Sequence, residues 1–161
     1  MRRKDREITD KGTMLDIIKE NVVCRLGLAV NDRPYVVPMN YGFTWDEGEP
    51  LKLFFHSAPV GLKLDMLRQN NLACFEIDGG HQLIRNEEKG EYSFAYASII
   101  GLGRVHFLES AEEKTQALLH LMRHQVGLGE YSFSEADLAR TTLFCLIADE
   151  VTGKRNLGVR G

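Results

Sequence analysis

Residues 53–64 read LFFHSAPVGLKL, and within them His56, Ser57, Gly61 and Lys63 are of types and spacing that could do chemistry. A hydroxyl, a glycine and an ammonium set this close together suit an anion, above all a phosphate. Leu53, Phe54 and Phe55 read as a buried strand, while Leu62, Leu64, Met66 and Leu67 give the following segment the apolar stripe of a helix. Ser57 is expected as the N-cap, Pro59 is tolerated in the first turn, and Gly61 leaves room for close approach. Backbone N–H groups at such a terminus point outward together, the helix dipole adds partial positive charge, and Lys63 supplies a full one. A serine cap followed by an early lysine also occurs where nothing binds, so the corner alone specifies only a generic anion site. His56 at the strand end either handles a proton, since imidazole titrates near neutral pH, or merely holds the corner.

Other chemical signatures are weaker. Gly101-Leu-Gly103 lacks the third glycine of a dinucleotide fingerprint and lies inside a strand-like run. His120 and His124 stand one helical turn apart without the HExxH glutamate or an evident third ligand, and read as a flank or solvent-facing pair. No GxSxG elbow and no HxE followed by PCxxC occurs, which removes the commonest hydrolase and deaminase patterns. Cys24, Cys74 and Cys145 are far apart and embedded in apolar runs, the setting of buried strand thiols. Chemistry here is expected to belong to a cofactor.

The elements that must position these residues are mostly strands. After a short amphipathic helix at residues 13–21, strands are expected at 22–30 and 34–43, joined by the turn at Asn31-Asp32-Arg33. A third strand covers 51–56, the helix 61–70 follows, and a fourth strand covers 72–78. Residues 79–90, GGHQLIRNEEKG, are polar and read as a loop; residues 92–108 form a long strand with Gly101 and Gly103 at a bend or bulge. Ser110 opens a helix with the capping box Ser110-Ala-Glu-Glu113, Ser134 opens a shorter one, and 141–151 closes as a strand. About six antiparallel strands with peripheral helices and no βα alternation argue for a mainly β barrel.

At 161 residues, 43% hydrophobic and 9% aromatic, the chain suits one globular domain, residues 1–161, with 1–10 as a basic N-terminal tail. A net charge of -3 argues against a protein built mainly for nucleic acid. No apolar run approaches the roughly 20 residues needed to cross a bilayer and no signal-like segment is seen, so a cytoplasmic protein with no membrane contact is expected.

The ordered series RLGLA at Arg25, RPYVVPMNYGF at Arg33, LFFHSAPVGLKLDML at Leu53, CFEID at Cys74, YASIIGLGRVHFLE at Tyr96, SAEEK at Ser110 and TGKR at Thr152 resembles the pyridoxamine 5'-phosphate oxidase-like flavin-binding family, in its nitroimidazole-resistance branch. The resemblance implies an FMN-binding split β-barrel that forms a homodimer, with one FMN in each of two clefts between the subunits. It implies that Ser57 and Lys63 contact the FMN phosphate and that His56 and Ala58 lie beside the ribityl chain or ring. Pro38, Met39, Asn40 and Tyr41 match the segment passing near the flavin, Tyr96, Ala97 and Ser98 match the strand bordering the ring, and Arg25 matches a position from which a cation could reach the phosphate. Lys154 recurs in the branch without an assigned role. The paired arginine-lysine clamp and the C-terminal substrate segment of pyridoxamine phosphate oxidase proper are missing, which argues against vitamin B6 oxidation.

Two functions follow from different classes. One is an FMN-dependent oxidoreductase that passes electrons from a reduced donor to a small-molecule acceptor such as a nitroimidazole, with His56 as the candidate catalytic residue. The alternative is a non-catalytic module of the same fold that carries or senses flavin or haem. A barrel that binds nothing and serves only as an interaction protein is a third, disfavoured by the anion corner.

Overall fold

The computed structural model describes residues 3–87 and 90–157. The N-terminal arginines and lysine expected as a tail are described from Arg3 onward, and Glu88 and Lys89 of the expected loop lie outside the described residues. A 3₁₀ turn at Lys4–Arg6 leads into β1 (Glu7–Ile8), then α1 (Lys11–Glu20), β2 (Val23–Val30), β3 (Arg33–Asn40), β4 (Gly42–Thr44), β5 (Lys52–Ser57) and α2 (Leu62–Gln69). The two long strands β6 (Leu72–Asn86) and β7 (Glu91–Leu108) follow, then α3 (Ala111–Gln125), α4 (Glu135–Arg140) and β8 (Thr142–Asn156).

The strands form one antiparallel sheet in the order β3-β2-β6-β7-β8-β5-β4, with β1 added to β8. Among the described residues eight strands stand where about six were expected. Tyr41 interrupts the expected strand 34–43 and splits off β4, and Glu7–Ile8 pair with Lys154 and Gly153 instead of trailing in solvent. Ile8 is buried, which is why this part of the basic segment is anchored. The sheet curls around a core containing Ile18, Leu26, Leu53, Phe55, Phe75, Ile77, Ile99 and Phe144, and β3 and β4 do not pair, so the barrel is open.

Short-range chemistry explains the local elements. Asn31 and Asp32 both adopt positive φ, 50° and 60°, the two-residue hairpin geometry that matches strand twist. Asp10 caps α1 by accepting from the Thr13 amide at 2.7 Å, one turn earlier than the helix start read from the apolar pattern. The capping boxes at Ser110/Glu113 and Ser134/Asp137 form as expected, opening α3 and α4.

Residues 79–86 of the expected loop instead extend β6 and, with the start of β7, form a two-stranded arm. Leu83 pairs with Phe94 and Arg85 with Tyr92, after a register shift between Gly79 and Gln82. Both faces of this arm are largely solvent-exposed, so it lacks the apolar alternation that marks a half-buried strand. The bend expected at Gly101 and Gly103 is present, with a register shift between Leu102 and Gly103 where β7 crosses β8. A Cβ on Gly101 would sit 2.4 Å from the Phe75 ring and from the Glu150 carbonyl, so only glycine lets the layers meet there.

Candidate functional site

Strand alternation sorts the β5 residues onto two faces. Leu53, Phe55 and Ser57 point inward, whereas His56 is exposed on the other side. Ser57 is only 6% exposed, and its Oγ is the one buried side-chain polar atom among the described residues with no hydrogen-bond partner. An unpaired buried hydroxyl costs stability on the order of 1–3 kcal/mol, which a ligand acceptor would relieve.

The turn after Ser57 corrects the expected cap. Gly61, not Ser57, is the N-cap of α2, at φ 142°, and among the described residues no side chain caps the helix. The first intrahelical bonds run from the Leu64 and Asp65 amides to the Gly61 carbonyl, at 2.9 and 3.2 Å, so the amides of Leu62 and Lys63 keep the outward orientation of a helix start. Nothing lies within 4 Å of a Cβ built on Gly61, so the approach to these amides is open. Lys63 is half-buried and forms no ion pair among the described residues, while Asp65 is turned toward Arg68 at 3.5 Å. Leu64, Met66 and Leu67 anchor the helix in the core. The corner therefore combines an unpartnered hydroxyl, uncapped amides and an ammonium, the donor set a phosphate dianion uses.

The remaining expected site residues fall elsewhere. Tyr41 is fully buried, its hydroxyl within 2.7 Å of the Ile18 and Asn21 carbonyls, so its side chain serves the core. Asn40 donates to the Val22 carbonyl at 3.0 Å and to Gln125 Oε1 at 2.9 Å, and Met39 packs against the core. Pro38 is exposed, directly across from Arg25. Arg25 does not reach toward Ser57. It lies on the outer face of β2, bonded to Glu76 at 3.0 Å and to Asp78, which His81 also contacts at 2.8 Å.

Tyr96, Ala97 and Ser98 sit at the far end of the sheet from Ser57. Ser57 pairs with Thr142 and Ser98 with Lys154, so roughly 40 Å of β8 separates the two positions at about 3.3 Å per residue. Ala97 packs inward, whereas Tyr96 and Ser98 share the outer face with Arg25 and Asp78. Two groups that sequence reasoning left without a role converge there. Arg6 Nη1 donates to the Tyr96 hydroxyl at 3.5 Å, and Lys154 Nζ stands 5.6 Å from the centre of its ring. Partial burial pushes the Tyr96 phenol up, but hydrogen bonds and charge from Arg6 and Lys154 outweigh it and hold the phenol below the usual tyrosine range. The TGKR motif was the only signal for Lys154; Arg6 had none beyond belonging to a basic segment.

The histidine pair and the cysteines have packing roles. His120 stacks on Phe54 at 4.9 Å, and His124 Nδ1 lies 2.8 Å from the Tyr41 carbonyl oxygen. Cys24 and Cys145 are buried, and burial pushes each thiol up to about 12, while Cys74 is half-buried on the outer face. Among the described residues no helix is long and apolar enough to cross a membrane.

A family model described as pyridoxamine 5'-phosphate oxidase matches residues 10–155. Among solved structures, a candidate 5-nitroimidazole antibiotic resistance protein from Bacteroides thetaiotaomicron superposes with a TM-score of 0.82 at 34% identity, over 92% of this chain and 86% of that one. The FAD and haem binding protein of Mycobacterium smegmatis gives 0.81 at 18% identity, over 97% and 76% of the two chains. The flavocytochrome Anf3 of Azotobacter vinelandii gives 0.78 at 18% identity, over 98% and 72%. A comparison with curated proteins found no match. With its open antiparallel barrel, its peripheral helices and the family match across nearly its whole length, the chain belongs to the pyridoxamine 5'-phosphate oxidase family.

Proposed function

We propose that the protein binds FMN and works as an oxidoreductase, with the nucleotide's phosphate in the corner formed by Ser57, Leu62 and Lys63. The observation that carries this reading is the buried, unpartnered Ser57 Oγ at the strand end that leads, four residues on, into a helix start without a side-chain cap. Ser57 donates its hydroxyl proton to a phosphate oxygen, the Leu62 and Lys63 amides add two further donors, and the Lys63 ammonium balances the charge. The 34% identical relative described in connection with 5-nitroimidazole resistance supports a small nitro compound as acceptor. When bound, the flavin supplies the capacity to take electrons from a reduced donor and hand them on.

The separation of the two clusters supports a homodimer. One chain keeps the phosphate corner and the Tyr96–Ser98 strand at opposite ends of β8, so a single nucleotide touching both needs them from two copies. The outer face has the character of an interface: Val36 on β3, Leu72 on β6, and Ile100 and Leu102 on β7 are 64%, 42%, 47% and 41% exposed. In such a pair His56, exposed on the face opposite Ser57, would orient or protonate the acceptor from outside the phosphate corner.

The visible spectrum of the purified protein tests this reading. A flavin spectrum bleached by reduced nicotinamide nucleotide and restored by a nitroimidazole is the expected outcome. A flavin that no donor bleaches would make the protein a carrier, a Soret band would make it a haem protein, and a colourless protein that takes up no FMN would end the proposal. At saturating FMN, unchanged nitro-acceptor turnover in His56→Ala would remove the histidine from the reaction.

A further inference from the structure

Alternate residues of the arm strand β7 place Tyr92, Phe94 and Tyr96 on one face, a stripe of three aromatic rings. Tyr92 and Phe94 are 67% and 60% exposed, with Leu83 beside Phe94 as its cross-strand partner. No other described element covers them. At the Tyr96 end stand Arg6 and Lys154, and among the described residues neither forms an ion pair within 4.0 Å. Arg6 and Tyr92 also line a recess of about 920 Å³ with Ser93, Arg155 and Asn156, large enough for a small planar molecule.

The recess as a whole is not cationic, because Glu7, Glu87 and Glu91 line it too. Tyr96 and Lys154 stand outside its lining, Tyr96 directly across from the lining residue Asn156, and there two cations flank a hydroxyl donor. Glu7 is the nearest opposing charge by register, directly across from Lys154, yet the two do not pair. The same two cations hold the Tyr96 phenol below the usual tyrosine range, as they would favour a ligand's anion placed between them.

We propose that this stripe binds a planar aromatic carboxylate, its ring on Tyr92 and Phe94 and its carboxylate between Arg6, Lys154 and the Tyr96 hydroxyl. Aromatic stacking gives the ring a sequence-independent platform, and two charge-assisted hydrogen bonds select the acid over its neutral amide. Electron transfer to a nitro group carried by such a ligand rests on the flavin reading above; binding of the carboxylate does not.

Calorimetric titration of the FMN-saturated protein with para-nitrobenzoate and with para-nitrobenzamide tests the site. The acid is expected to bind at least about tenfold tighter than the amide, and Lys154→Met and Arg6→Gln should each erase about tenfold of that preference. Lys154→Arg, which keeps the charge, should retain it, and Glu7→Gln should strengthen it. Equal affinity for the two probes, or a preference untouched in both neutralised variants at unaltered melting temperature, overturns the proposal. So does loss of bound FMN in Lys154→Met with the acid preference intact, which would assign the cations to the flavin. If the unmodified protein takes up no FMN, the flavin reading fails while the comparison of acid with amide remains readable.

Discussion

The phosphate corner and the outer face around Tyr96 are built in contrasting ways. The corner draws its donors from seven consecutive positions, Ser57 to Lys63, and its central group is buried, faces inward and lacks a partner. The outer face assembles Arg6, Arg25, Asp78, Tyr96 and Lys154 from four strands and an N-terminal turn, and its groups are half-buried or exposed and already engaged with one another. A site poised for a ligand keeps unsatisfied donors in a rigid frame. A face that awaits a partner or a small molecule keeps its charges solvated and its apolar residues uncovered.

Charge removal in the corner should have the largest effect. Lys63→Ala is expected to weaken FMN binding about tenfold to a hundredfold, since a charge-assisted contact to phosphate is worth about 1.5–3 kcal/mol, and equilibrium dialysis measures it. Undiminished affinity would make the corner no different from any capped helix start. On the outer face, Leu102→Asp places a charge in the middle of the apolar rows and should weaken self-association about tenfold or more, as read by sedimentation equilibrium. A monomeric unmodified protein, or an unaffected dimer, would break the link between that face and a second copy.

Within the barrel, Gly101→Ala sets a backbone close approach against a methyl group. A loss of about 1–3 kcal/mol and a melting temperature lower by several degrees are expected, with FMN affinity per folded molecule unchanged. The smallest effect is on Tyr96. Because Arg6 and Lys154 favour its phenolate, Tyr96 should ionise below the usual tyrosine range as pH rises, while Tyr41, buried among the Ile18 and Asn21 carbonyls, should ionise above it. In Lys154→Met the early tyrosinate absorbance should move to higher pH; if it stays, the cation does not act on the ring.

The same contrast decides what could be read from the sequence. Contiguous features were legible: the corner's residues, the capping boxes at Ser110 and Ser134, the hairpin at Asn31-Asp32 and the bend at Gly101 all depend on near neighbours. Features set by register were not. The pairing of Glu7 with Lys154 and of Leu83 with Phe94, and the engagement of Arg25 with Glu76 and Asp78, join residues whose separation carries no local signal. Even in the corner the expected serine cap was wrong in detail. Ser57 still belongs to the strand and faces inward, and the uncapped helix starts four residues later at Gly61, which leaves the hydroxyl free for something else.

Ser57→Ala probes that freedom most directly, measured as FMN affinity together with the melting temperature of the ligand-free protein. Removing an unpartnered buried hydroxyl should leave the ligand-free protein as stable or more so, while FMN binds about threefold to tenfold more weakly. Unchanged FMN affinity, or a ligand-free protein that melts several degrees lower, would mean that Ser57 serves the fold and that the corner holds no phosphate.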